Sequence, residues 1–396
     1  MAGAVTHYAY DLTTGTLIAE LPLTQVRWNQ RLNQAGSFSG QINFRDARLP
    51  LVDVINSTRP GRTLLVVDID GTPSWSGIIW TRNYAQSKGI VQIGAQEIWS
   101  YYNLIVQHVD YTNPPSSATY WSGAAGSAAD ACYVSAQILS DAGKIPGAAF
   151  NATVFPLGIN IVETSTNSSP VVVSYPISQL STISSMITTL SGGGYGAGFD
   201  FYISTAWQGS LTGGVPVHTM NFYYPRLGRI AGQTGLVVDS QSVMDYQWPE
   251  DATQMANSIY LNATISGQNQ TQIQAQGTAS LNAGYPLLEK TTSATNVQTT
   301  SVANTIAAGD LAQFEWPIAT PQFTVPMFQG DLTVNDYIIG DDIRVIMQPD
   351  ERFLTGFDIY MRIVGIDYTL GDSGVSTMTM TLNMPPALDP TPAPPL

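Results

Sequence analysis

The chain has 396 residues, enough for two or three domains of roughly 100–200 residues each. Its 44% apolar content excludes global disorder, while charged residues make up only 11%, against roughly 25% in an average soluble chain. The formal net charge of -14 excludes a dedicated nucleic-acid-binding surface, which needs cations on phosphates, and adsorption to anionic membranes.

The acidity is concentrated late in the chain. Residues 1–100 carry eight basic and seven acidic side chains, residues 101–235 three and five, and residues 236–396 four and seventeen. Such a block serves solubility, or it forms a surface that does not hold DNA passing it. So little charge also implies surface covered by neighbouring subunits, although a rigid extracellular protein has a similar composition. Cys132 is the only cysteine, so no intrachain disulfide forms, which fits assembly in a reducing cytoplasm. Cys132 reads as a small buried hydrophobe within a helix. No run reaches 18 apolar residues, so no membrane span is expected. MAGAVTHYAYD lacks the basic start and apolar core of a signal peptide.

Strand-like alternation opens the chain at VTHYAYD, TLIAELPLTQVRWNQ and GSFSGQINF. A short helix or turn is expected around 49–55. Residues 61–97 read as a meander: GRTLLVVDID, the turn GTP, SWSGIIWTRNYA, the turn QSKG, then IVQIGAQE. EIWSYYNLIVQ fits strand or helix, and NPPSS closes a first β-barrel near residue 110. In the next region, Ser127-Ala-Ala-Asp130 predicts a helix start, with Ala131, Val134 and Ile138 on one face and Gly143 as the stop. A second helix is predicted over 178–190, with an apolar stripe of Leu180, Ile183, Ile187 and Leu190. SGGGYGAG ends it, and GFDFYIST and VHTMNFYYP follow as strands. After residue 236, PEDATQMANS predicts a helix with Pro249 in its first turn. SIYLNATIS reads as a strand, the Gln/Thr/Ala-rich stretch after it as a loop, and SVANTIAAGDLAQF as a helix. TPQFTVPMF then leads to a second meander over 340–383: GDDIRVIMQPD, FDIYMRIVGIDYTL, the turn GDSG and VSTMTMTLN. PPALDPTPAPPL, residues 385–396, reads as an extended tail or linker.

The two meanders match in outline. Each opens with a glycine followed by a charged residue, each middle strand has an internal glycine (Gly77, Gly365), and each last turn is a polar tetrapeptide containing glycine. Spacing between their strands differs. They are either two similar β-barrels or two ordinary meanders; similar barrels would make the chain an assembly module. The expected architecture is mainly β with an α+β insert. One barrel occupies residues 1–110, a small α+β domain 111–235, a second barrel 236–384, and the proline-rich tail 385–396.

Chemistry is sparse. His7, His108 and His218 are far apart and have no metal-ligand spacing, and one cysteine cannot build a structural zinc site. No G-x-S-x-G occurs; GSFSG puts Phe38 at the nucleophile's place. The run from Gly192 to Gly198 follows a helix and precedes a strand, the reverse of a phosphate-binding turn, and has no P-loop lysine. The doublets Glu250/Asp251, Asp341/Asp342 and Asp350/Glu351 point to opposite faces of a strand, so none is a glycosidase pair as it stands. No catalytic residue, metal or cofactor is expected. Trp75, Trp80 and Trp99 read as core or interface residues, although aromatic faces also stack on sugars.

A series of segments carries a resemblance over nearly the whole chain. In order they are LTQVRWNQRLNQAGSFSGQINF, PSWSGIIW, NFYYPRLGR, PEDATQMANSIYLNA, GYPLLEK, GDDIRVIM and MRIVGIDYTL. Together they resemble the tail-hub (baseplate-hub) family of long-tailed bacteriophages, in particular minor tail proteins of non-contractile phages that infect actinobacteria. The resemblance implies a homotrimeric ring at the virion tail tip, assembled in the host cytoplasm, with two tube-type β-barrels per subunit giving pseudo-sixfold symmetry. It implies docking on a hexameric distal tail protein, threefold tip or fibre proteins below, and a channel through which the tape-measure protein and DNA leave. Some such hubs carry a C-terminal peptidase or cell-wall hydrolase; the proline-rich stretch soon after the second barrel argues against a fused enzyme. On charge clustering, Asp341, Asp342, Asp350 and Glu351 are expected to face the channel, which would pass DNA without specific binding. Two rival readings are a host-receptor or carbohydrate-binding tail protein using Trp121 or Trp207, and a cell-wall hydrolase.

Overall fold

A computed structural model describes residues 4–46, 53–109, 111–112, 129–142, 159–163, 170–171, 174–192, 198–209, 214–265, 270–297, 300–328, 334, 336–371 and 375–383. The NPPSS break, Trp121, Ser127, Gly143, the glycine run at 193–197, the GDSG turn beyond Gly371 and the proline-rich stretch lie outside the described residues.

The fold is mainly β. Strands β1 (Val5–Asp11), β2 (Leu17–Glu20), β3 (Leu23–Arg31) and β4 (Ser37–Asn43) lead through the short helix α1 (Val54–Ser57) into the first meander. That meander is β5 (Thr63–Ile69), β6 (Thr72–Ala85) and β7 (Ile90–Glu97). The insert contributes α2 (Ala131–Asp141), β8 (Asn160–Glu163), α3 (Ile183–Ser191), β9 (Asp200–Gln208) and β10 (Val215–Tyr223). Next come β11 (Val237–Asp239), β12 (Asp245–Gln247), β13 (Ser258–Ile265), β14 (Gln270–Gln276), α4 (Thr278–Asn282), β15 (Glu289–Val297) and α5 (Thr300–Phe314). The chain closes with β16 (Gln322–Pro326) and the second meander, β17 (Asp342–Met347), β18 (Phe357–Thr369) and β19 (Thr377–Asn383).

Both meanders lie in one 13-stranded sheet. Its path is β12-β16-β19-β18-β3-β4-β7-β6-β5-β1-β2, with β17 also on β18 and β11 parallel to β17. One apolar cluster runs beneath both halves, from Val67, Trp28, Phe38 and Trp75 to Phe323, Met378, Met380 and Leu382. β5 is buried along its whole length. Leu65, Val67 and Ile69 face that cluster, while Leu64 and Val66 face a second one that meets Ile203 and Trp207 of the insert. Burial on both faces is why β5 carries the unbroken apolar run LLVV rather than an alternating pattern. The insert packs α2 and α3 around β8–β10 over its own core of Val134, Ile138, Met186, Ile187 and Phe222. A further unit lays α5 on the β14-β13-β15 sheet.

Several local expectations are corrected. Asp130 itself caps α2, accepting from the Tyr133 N–H at 3.0 Å, because its carboxylate reaches the free donors of the first turn. Thr182 caps α3, which begins only at Ile183; Leu180 sits before it in a left-handed conformation, exposed, outside the stripe. EIWSYYN forms a short 3-10 turn, Ile98–Asn103. No helix forms in PEDATQMANS. Glu250 and Asp251 instead pair with Ala319 and Ile318 as extended chain, and the Asp251 carboxylate turns the backbone by accepting from the Thr253 N–H. The Gln/Thr/Ala-rich stretch contains β14, which buries Ile273 against α5.

Glu97, at the end of β7, is opposite Gly77. Burial pushes its carboxyl up to about 8, although the Gly36 N–H donates to it at 2.6 Å. Its contribution to stability is therefore complete below its ordinary value of 4.5 and is lost as pH rises through about 8. Glu97→Gln removes this pH dependence. The variant is expected to be about 2–4 kcal/mol more stable than the parent at pH 9 and nearly equal to it at pH 4.5. Urea unfolding at the two pH values measures the difference.

Candidate functional site

The two meanders share one hydrogen-bonding plan. In each, the N-terminal half of the long middle strand pairs with the strand before it and the C-terminal half with the strand after it. Register shifts fall at Ile79/Thr81 and at Ile363/Gly365, which aligns Thr81 with Gly365 and Tyr84 with Tyr368. Gly61 donates to the Ile79 carbonyl at 2.7 Å, and Gly340 donates to the Ile363 carbonyl at 2.8 Å. The glycine that opens each set thus does the same work in both, at positive φ each time. The internal glycines are not equivalent, however. A Cβ on Gly77 would lie 2.3 Å from the Gln96 carbonyl oxygen, so backbone packing demands glycine there. At the aligned positions a threonine faces a glycine in both halves, in opposite order: Thr81 opposite Gly94, and Gly365 opposite Thr381.

β18 joins the halves. Its residues from Gly365 to Thr369 pair antiparallel with β3, from Arg31 back to Arg27. Trp28 stacks on Tyr368 across this joint, ring centroids 4.8 Å apart and planes 13° from parallel. Arg31 Nη2 reaches both Asp367 carboxylate oxygens, at 2.7 and 2.9 Å. Arg31 Nη1 donates to the Gln30 carbonyl at 2.9 Å and the Ile366 carbonyl at 3.3 Å, so one guanidinium ties the two strands through both side chain and backbone.

The face of the sheet opposite the core is carpeted with neutral polar groups. Alternation places Ser37, Ser39 and Gln41 there on β4, Gln92 on β7, and Thr377, Thr379 and Thr381 on β19. A shallow cleft of about 650 Å³ over the joint is lined by Gln25, Arg27, Ser39, Gln41, Thr81 and Asn83 among others. Hydroxyls and amides dominate it, with no cluster of cations to grip phosphate. The signal was present in SFSGQIN and TMTMTLN, whose polar residues recur at every second position.

The acidic candidates are distributed differently. Asp341 is fully buried: it accepts from Arg229 Nη2 at 2.6 Å, the Arg229 N–H at 2.7 Å and the Ile338 N–H at 3.0 Å. Asp342 is nearly as buried and holds Arg226 at 2.6 Å and the Ala231 N–H at 2.8 Å. Both carboxylates clamp the segment 226–231. Asp350 accepts from the Phe353 N–H at 2.6 Å and from the Tyr246 hydroxyl, which holds its carboxyl below the usual range. Glu351 is exposed. Sequence reasoning missed Asp200, whose carboxylate gathers the Leu227 N–H at 2.8 Å, Asn33 Nδ2 at 3.1 Å and the Arg362 guanidinium.

Other candidates carry no chemistry. Trp207 is not an open platform, since it packs on Tyr8 and Tyr10 and donates its indole N–H to Asp68 at 2.8 Å. His218 is buried against Thr205, 3.0 Å away, and burial lowers its imidazole to about 4. Among the described residues no three His, Cys, Asp or Glu side chains converge as a metal site. Also among them, no helix is long and apolar enough to cross a membrane.

This architecture matches solved structures across almost the whole chain. The tail protein from Neisseria meningitidis MC58 is similar at a TM-score of 0.59 and 13% identity, with 97% of each chain covered. The 43 kDa tail protein of prophage MuSo2 from Shewanella oneidensis is similar at 0.57 and 14%, covering 98% of this chain and 100% of that one. Prophage tail protein gp18 from Listeria monocytogenes EGD-e is similar at 0.50 and 11%, covering 95% and 94%. The fold is shared with these tail proteins. No family model and no curated protein matches the chain by sequence, so the tail-protein fold is recognised from its geometry.

Proposed function

We infer that this protein is a non-enzymatic, structural hub at the virion tail tip of a long, non-contractile-tailed phage of actinobacteria. Three copies close a ring of six similar half-units around the DNA exit channel. The ring adapts the sixfold tail tube and distal tail protein above it to threefold tip or fibre proteins below. One observation carries the reading: a single chain contains two meanders with the same strand pairing, fused edge to edge through β3 and β18. A chain that already joins two equivalent units side by side is suited to a closed, pseudo-sixfold assembly.

The polar face of the sheet is assigned to the channel. Amides and hydroxyls there let the tape-measure protein and DNA pass without holding either. Glu351 is the acidic candidate retained for that lining, since Asp341 and Asp342 are occupied in the clamp and Asp350 by the Phe353 N–H and the Tyr246 hydroxyl. Imaging the assembled tail tip tests the hub: three copies per ring on the tail axis are expected, and six copies or an off-axis position would end the reading. The lining has its own test. Ser39→Lys combined with Gln41→Lys and Thr379→Lys is expected to slow DNA release at low salt and to recover as salt is raised, because phosphate contacts weaken with ionic strength. Unchanged ejection kinetics across the salt series would place this face elsewhere.

A further inference from the structure

Among the open strand edges of the described residues, two are the counterparts of the strands that meet at the internal joint. β6 pairs with β5 over 72–78 and with β7 over 77–85, so one edge of residues 81–85 has no strand beside it. β12 ends the sheet path, paired on one side only, with β16. The equivalent stretch of the second meander, 365–369, is covered by β3. Open edges of this kind are templates for another strand.

The internal joint states which strand fits. Arg27 reaches Gly94 through Ser39, and Gln247 reaches Thr381 through Gln322. Gly94 and Thr381 are the aligned partners of Thr81 and Gly365, so Gln247 corresponds to Arg27 and Trp248 to Trp28. The extra residue in β3 is taken up at Gln25, at positive φ within a register shift. Resting on the trimeric-hub reading, we propose that the edge of β6 over 81–85 pairs antiparallel with residues 247–251 of a second copy of this chain, in the register β18 uses on β3.

That register sets Tyr84 against Trp248, repeating the Tyr368–Trp28 stack. Tyr84 is 59% exposed, whereas its counterpart Tyr368 is 2% exposed. It sets Arg82, whose guanidinium also donates to the Ile55 carbonyl at 2.8 Å, against Glu250, which also holds Arg352 at 2.6 Å, so the two charges would join an existing network, and it sets Ala85 against Gln247. Asn83 falls opposite Pro249, which corresponds to Asn29. Leu32 donates to the Val364 carbonyl and Leu370 to the Val26 carbonyl across the internal joint. Alternation then points the N–H and C=O of Asn29 away from β18. Pro249 likewise turns its carbonyl inward, accepting from the Thr320 N–H at 3.2 Å. Its missing N–H removes no hydrogen bond from the joint.

The test places cysteines at Ala85 and Gln247 together, in purified full-length chain and in assembled tails, with Tm as a folding control. Under mild oxidation, covalently linked dimers and trimers are expected. Neither single variant should give the trimer. Thr81→Cys with Gln247→Cys is the register control; those positions are roughly 13 Å apart along the strand, beyond the roughly 7 Å a disulfide tolerates. Absence of in-register linkage in both preparations, equal linkage of the control pair, or linkage of either edge to a different protein overturns the proposal. Copy number by imaging is read separately: a three-copy ring without linkage sinks this joint and leaves the hub standing, whereas a ring of another size sinks both.

Discussion

Replacing Asp200 with alanine is expected to lower the stability of the folded chain by about 3–5 kcal/mol, the range for removing one partner of a buried ion pair. Its carboxylate stands where three parts of the molecule meet: Asn33 follows β3, Leu227 belongs to the segment after β10, and Arg362 lies in β18. Without it the Arg362 guanidinium, largely buried, keeps its charge with less to balance it. The Leu227 N–H, also in a buried setting, loses its acceptor. Asp200→Asn retains the shape and part of the hydrogen bonding, so its loss should be smaller than that of the alanine variant. Chemical unfolding of the three proteins gives the comparison. A loss under about 1 kcal/mol for alanine would mean that the carboxylate is replaceable by water there.

Trp28→Ala is the second large effect, expected at about 3–5 kcal/mol, the usual cost of deleting a large buried ring and leaving its cavity. Trp28 is 2% exposed and joins the halves through its stack on Tyr368. The same change should loosen the two meanders from each other. Hydrogen exchange at the amides of β3 and of the C-terminal half of β18 is expected to accelerate more than exchange in β5. Uniform acceleration throughout the sheet would show that the stack contributes stability without linking the halves.

Much of this was legible in the sequence because strands write their faces at period two. SFSGQIN and TMTMTLN announce both a core face and a polar face, and TLLVVDI announces burial on both sides. The pairing of the meanders was legible for the same reason, down to the opening glycines Gly61 and Gly340. What the sequence concealed was partnership at a distance. Asp341 and Asp342 look like a solvated acidic cluster until Arg229 and Arg226 arrive from more than 100 positions earlier in the chain. QTQIQAQ looks like a loop because a single isoleucine, Ile273, carries its burial. Pro249 suggested a helix start, a local preference that loses to the pairing of Glu250 and Asp251 with Ile318 and Ala319. The likeness of Trp248 to Trp28 was hidden by one additional residue, Gln25.

The fusion of β3 to β18 has an arithmetic consequence. A ring built from separate half-units could close with five, six or seven of them, and small changes in tilt would select among these. In the proposed ring each polypeptide would deliver its half-units two at a time, so odd totals would be forbidden by covalent connectivity before any contact between copies is made. Half of the seams in that ring would also form during folding, so only the remaining half would have to be found by diffusion.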